Sequence, residues 1–132
     1  MSDPTARNIA TLHPAMQMAA WTLVEAARSV GVPLVVISAL RSEQRNREAG
    51  GAPGSYHLDQ SALTGAPGAL AFDVAVQGLT RDQVPFWWWE MLGNWCEENL
   101  GLYWGGRFHH MGEPDVNHFD ARRWLGRDAA TI

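Results

Sequence analysis

Ala69-Leu70-Ala71-Phe72-Asp73-Val74-Ala75-Val76 is the stretch on which the fold turns. Its residues suit a strand, with Ala71, Asp73 and Ala75 on one face and Phe72, Val74 and Val76 on the other. An acid flanked by alanines on a strand this apolar is unusual. A buried carboxylate without a partner is costly, so Asp73 requires a cation or a strong hydrogen-bond donor beside it.

Working outward, the chain alternates helical and extended patterns. Leu34 to Leu40 is a β-branched run bounded by Pro33 and Arg41, which predicts a second buried strand. Upstream, His13-Pro14 opens a helix whose Met16, Ala19, Ala20, Leu23, Val24 and Ala27 repeat at three and four. Gly31 and Pro33 stop it, and His13 reads as a structural or surface histidine. Residues 1–12 read as a loosely ordered lead-in. Glu43 to Ala49 has room for two helical turns, residues 50–54 form a glycine-rich loop, and residues 58–68 read as an irregular insertion. Downstream, Thr80-Arg81-Asp82-Gln83 has the pattern of a capping box. It predicts a helix through the tryptophans to about Asn99, closed by Gly101, with Val84, Trp88, Leu92 and Trp95 as its stripe. Leu102 to Trp104 is a short strand, Arg107 to Pro114 a loop and Val116 to Asp120 a final strand. Together these elements predict one α+β domain over residues 1–132. It should hold a small antiparallel-rich sheet with two main helices packed on one side.

Composition narrows the chemistry. With 46% hydrophobic and 18% charged residues in 132, the chain can bury a real core and is not a disordered segment. The longest apolar run, Val30 to Leu40, is too short to span a bilayer. Met1-Ser2-Asp3-Pro4 does not begin a signal peptide, so a product made in the cytoplasm is expected. A net charge of −4 without a basic cluster argues against nucleic acid as a partner. The single cysteine, Cys96, excludes an internal disulfide framework and reads as a buried, inert thiol. Seven tryptophans suit a packed core first and a ligand-gripping groove second.

Three segments carry candidate metal ligands: Gly54-Ser55-Tyr56-His57, the strand with Asp73, and Asp115-Val116-Asn117-His118. Zinc in hydrolases commonly takes three protein ligands and keeps one position for water. His57, Asp73 and His118 would supply them, and Asp115 would be the carboxylate that moves the proton. The ligands are 16 and 45 residues apart, so they must meet through tertiary structure, and ordinary polar loop residues remain the alternative. Asp59 is a rival to Asp73, disfavoured because it lies in a polar loop. His109 and His110 either line a cleft or sit in a solvated loop. Asp120 falls on the strand face of His118, as a partner for it or for Arg122 or Arg123.

Ser55-x-His57, Ala71-x-Asp73 and Asp115-x-x-His118-Phe119-Asp120 resemble the zinc peptidases that cleave D-alanyl-D-alanine or L-alanyl-D-glutamate bonds in bacterial cell walls. Ser38-Ala39-Leu40-Arg41-Ser42 and Gly101-Leu102-Tyr103-Trp104-Gly105-Gly106 extend the likeness from roughly Asn8 to Trp124. Phage endolysins of the L-alanyl-D-glutamate peptidase type look most similar. The resemblance implies a zinc D,D-peptidase (hedgehog-like) fold. It implies zinc bound by His57, Asp73 and His118, with Asp115 as general base. Arg41 would bind substrate or steady the oxyanion, and Ser55 would orient the loop or a substrate amide. The departure is the gap between His57 and Asp73, wider than in Ser-x-His-x-x-Gly-x-Ala-x-Asp, with Ala69 in the glycine's place. The extra residues would remodel the cleft rim. The expected substrate is the peptidoglycan stem peptide. A monomeric lysin would act on the wall after release, without membrane insertion. A D-alanyl-D-alanine carboxypeptidase or dipeptidase and a non-catalytic wall-binding or virion protein are the rival readings.

Overall fold

The computed structural model describes residues 3–107, 109–110 and 113–126. Helices α1 (Thr5–Ile9) and α2 (Pro14–Ser29) precede β1 (Leu34–Ser38). Short helices α3 (Glu43–Glu48) and α4 (Ser61–Thr64) lead to β2 (Ala71–Val76), and the long α5 (Phe86–Leu100) follows. The chain then runs through β3 (Tyr103–Trp104), β4 (His109–His110), β5 (Glu113–Pro114) and β6 (His118–Asp120).

The architecture is α+β, as expected. Four strands in the order β1-β2-β6-β3 make an antiparallel sheet, while β4 and β5 pair separately. In the β2–β6 pair Phe72 lies opposite Phe119 and Asp73 opposite His118. Strand alternation therefore gives the sheet two unlike faces. Phe72, Val74, Phe119 and Trp104 belong to the core that α2 and α5 complete through Met16, Leu23, Leu92 and Cys96. Asp73, His118 and Asp120 lie on the other face.

The predicted loose lead-in is instead structured within the described residues; Met1 and Ser2 lie outside them. Thr5, Ile9 and Leu12 are buried. β1 is an edge strand, and this segment covers its edge: Val36 N donates to Thr5 Oγ1 at 3.0 Å, and Asn8 Nδ2 donates to Val36 O at 2.8 Å. Leu40 N donates to Thr11 Oγ1 at 3.1 Å.

The capping box forms, but it heads a 3-10 turn at Arg81–Gln83, and the helix begins only at Phe86. Pro85 explains the break. It forces Val84 into an extended conformation and removes a donor from the helical ladder. The buried stripe of α5 is consequently Trp89, Leu92, Gly93 and Cys96, with Trp88 and Trp95 half-buried on its flank. Gly93 is there for contact: a Cβ would stand 2.3 Å from the Trp104 ring. Of the expected loop from Arg107 to Pro114, Phe108, Met111 and Gly112 lie outside the described residues, and the described part includes the β4–β5 pair.

Candidate metal centre

A bulge in β1 starts the site. Val36 pairs with Val74 and Ser38 with Asp73, which leaves Ile37 as an extra residue in the strand. Beyond the bulge, Ala39 O accepts a hydrogen bond from His57 Nδ1 at 2.7 Å, and Arg41 N donates to His57 O at 2.7 Å. His57 is thus held on both ring and backbone, although no strand carries it. Because a carbonyl can only accept, Nδ1 carries the proton and Nε2 turns its lone pair to the sheet.

Two further potential ligand atoms lie beside it. His57 Nε2 lies 3.2 Å from His118 Nδ1 and 3.3 Å from Asp73 Oδ1, and His118 Nδ1 lies 3.2 Å from Asp73 Oδ1. The spacing is informative. Ligands about 2.0–2.1 Å from a tetrahedral zinc stand roughly 3.3–3.4 Å from one another. Three buried donor atoms already at that separation fit a metal ion, and the N, N, O set suits zinc.

The second layer fixes the ring of His118. Its Nε2 contacts Asp120 Oδ2 at 2.8 Å, and Asp120 is gripped by the Arg122 guanidinium at 2.7 and 2.9 Å. Arg122 also stacks over the Tyr103 ring at 4.0 Å. Burial alone would lower the pKa of His118. The hydrogen bonds to Asp120 and Asp73 outweigh it and push that pKa up to about 10. For Asp73 burial acts upward, but the neighbouring His57 and His118 hold its carboxyl well below the usual range. The two shifts have one cause, since each group favours the charged form of the other.

A cleft of about 140 Å³ opens over the centre, lined by Arg41, Ser55, Asp115 and the cluster itself. Asp115 Oδ2 lies 4.0 Å from His118 Nδ1, close enough to serve a water held between them. Arg41 Nη2 reaches Asp73 Oδ2 at 3.1 Å, so this guanidinium touches a candidate ligand as well as lining the cleft. Ser55 Oγ accepts from His57 N at 3.2 Å, which orients the loop.

The residues singled out in the sequence fall into place unevenly. His57, Asp73, His118, Asp115, Arg41 and Ser55 converge. Asp59 does not, because its carboxylate accepts from Gly68 N at 2.8 Å and from Ser61. Residues 58–68 are not among those lining the cleft. The insertion instead packs on the N-terminal segment, where Ala69 bridges Leu12 and a Cβ at Gly68 would stand 2.3 Å from His13 N. His13 caps α2 by accepting from Ala15 N. The side chains of His109 and His110 lie outside what the structure describes. Cys96 is buried in the core, and burial pushes its thiol pKa upward, which keeps it inert. Sequence reasoning missed the carbonyl of Ala39, which carries no residue-type signal. It also missed Arg81, whose Nη1 is 3.9 Å from Asp115 Oδ1.

A family model described as Peptidase M15 matches residues 3–110, well over half of the chain and including His57 and Asp73. No curated protein matches.

Proposed function

The chain belongs to the peptidase M15 family, zinc peptidases of the D-alanyl-D-alanine carboxypeptidase type, and on that premise we propose that it cleaves the L-alanyl-D-glutamate bond of the peptidoglycan stem as a phage or prophage endolysin. The family makes it a zinc metallopeptidase for peptidoglycan-type substrates. The narrower assignment draws on Arg41 after the first strand and on the Gly101 to Gly106 segment. His57 Nε2, Asp73 Oδ1 and His118 Nδ1 are the proposed ligands. Zinc bound there would supply Lewis-acid activation of water and of the scissile carbonyl.

The chain's own groups do the rest. Asp115 Oδ2, at the cluster, accepts the proton of the attacking water and returns it to the leaving amine. Arg41 offers a permanently charged planar donor to a substrate carboxylate or to the developing oxyanion. Ser55 and Ala39 keep His57 in place. The observation that carries the reading is Asp115 beside a ready-made three-atom ligand set, since a protein that merely binds walls has no use for a base there. A monomer acting on the wall after release from the cytoplasm is part of the same proposal.

The test is mass analysis of purified peptidoglycan digested with the zinc-loaded protein, alongside Asp115→Ala. New L-alanine C-termini and D-glutamate N-termini are expected, with none from the variant. Release of free D-alanine alone would instead assign the D,D-carboxypeptidase activity for which the family type is described. Wall binding without any cleavage by either protein would sink the enzyme reading.

A further inference from the structure

Resting on the assignment of Asp115 as the base, we propose that Arg81 is its positioning residue, holding Oδ1 so that Oδ2 faces the ligand cluster without joining it.

Arg81 has a fixed backbone and a reachable head. Its turn is held by Thr80 N donating to Gln83 Oε1 at 2.8 Å, and by Trp89 Nε1 of α5 donating to Arg81 O at 3.3 Å. The side chain, 43% exposed, reaches across to the cleft edge. There Nη1 stands 3.9 Å from Asp115 Oδ1 and Nη2 stands 3.8 Å from Glu113 Oε2. One guanidinium thus spans two acids separated by a single proline.

The two oxygens of Asp115 are divided: Oδ1 faces Arg81 and Oδ2 faces His118. Asp73 shows the same division, with Oδ1 in the cluster and Oδ2 on Arg41 at 3.1 Å. Arg41 hydrogen-bonds the outer oxygen of Asp73, and Arg81 stands at ion-pair distance from that of Asp115, which leaves the inner oxygens to the cluster side. The difference is reach. Asp73 is within 3.3 Å of both histidine nitrogens, whereas Asp115 stands off at 4.0 Å. With a dication bound by the cluster, a carboxylate so near would be drawn toward it, and as a fourth protein ligand it would close the position a hydrolase leaves for water. Two further features oppose that collapse. Asp115 N donates to Gly105 O at 3.2 Å, and a Cβ at Gly105 would lie 2.4 Å from Asp115 O, so the backbone is already seated closely. The attraction to Arg81 restrains the side chain.

The experiment compares wild type, Arg81→Ala, Arg81→Lys and Asp115→Asn as zinc-loaded full chains, on a soluble muropeptide, with zinc affinity measured by chelator competition. Arg81→Ala should lower kcat roughly ten- to hundredfold, in line with a misplaced catalytic group, and leave KM unchanged. Its zinc affinity should be equal to wild type or tighter, because Asp115 is released toward the metal. Arg81→Lys should recover most of kcat. Wild-type kcat in Arg81→Ala, with Asp115→Asn inactive, overturns the proposal. So does a rise in KM alone, which would make Arg81 a substrate contact, or a joint loss of zinc and activity that lysine does not restore. Retained turnover in Asp115→Asn would remove Asp115 as the base, and with it the role given to Arg81.

Discussion

His118 Nε2 and Asp120 Oδ2 are joined at 2.8 Å across two residues of one strand. The period-two alternation of β6 puts both on the same sheet face, and the contact leaves Nδ1 as the nitrogen that faces His57 and Asp73. Arg122 holds Asp120 from behind through both carboxylate oxygens. The aim of one candidate ligand therefore depends on two residues that would not touch the metal.

Asp120→Asn should weaken zinc binding by about 10–100-fold, as loss of an outer partner does elsewhere. Competition with a chromophoric chelator measures it. Asp120→Ala should in addition destabilise the fold by roughly 3–5 kcal/mol, because the buried Arg122 loses the carboxylate that grips it. A urea titration of the metal-free protein reads that cost.

Zinc loading near neutral pH should release a proton. With its pKa raised to about 10, His118 is an imidazolium in the metal-free protein, and ligation at Nδ1 must displace that proton. Titration calorimetry in buffers of different ionisation enthalpy should give heats that scale with the buffer. Heats independent of buffer would show that Nδ1 was already free.

The stability of the metal-free protein should be highest in mildly acidic solution. His118 has a folded pKa above its ordinary 6.5, so its contribution is complete below 6.5 and is lost as pH rises through about 10. Asp73 is depressed below its ordinary 3.8, so its contribution holds above 3.8 and fades as pH falls. Melting temperatures across this range should trace a plateau between those two limits. His118→Asn should flatten the alkaline side.

Gly93→Ala should destabilise by about 1–3 kcal/mol through overpacking against the Trp104 ring. The effect should extend to catalysis. Trp104 Nε1 donates to Val116 O at 2.7 Å, next to Asp115, so a displaced indole should move the proposed base. Chemical denaturation and kcat, measured on the same variant, should both fall.

Asp59→Ala should lower the melting temperature and leave kcat/KM unchanged. Its carboxylate ties Gly68 and Ser61 together and does not line the cleft. A loss of activity matching that of a ligand variant would return Asp59 to the list of metal ligands.

Much of the site was legible because its residue types are incongruous where they stand. Asp73 on an apolar strand demands a partner, and Asp115-x-x-His118 places two polar groups at the mouth of the last strand. What escaped depended on pairing between distant segments. Thr5 and Asn8 look like ordinary polar residues until β1 is known to be an edge strand whose Val36 needs partners. The Thr80–Gln83 capping box is legible as a local motif, yet Pro85 detaches it from the helix that follows. That detachment is also what leaves Arg81 on a turn at the cleft edge, where a helix-first reading would not look for it. The widened gap between His57 and Asp73 suggested a changed cleft, but its residues fold back onto Leu12 and His13.

Asp73 and His118 are direct cross-strand partners in the β2–β6 pair. Slippage of that pair by one residue would turn one of the two side chains into the core and set Phe72 or Phe119 in its place. Misfolding of the central sheet and loss of the ligand set would then be the same event. Metal uptake at these residues would thus amount to proofreading: a molecule that captured the ion would, by doing so, certify the alignment of its two middle strands.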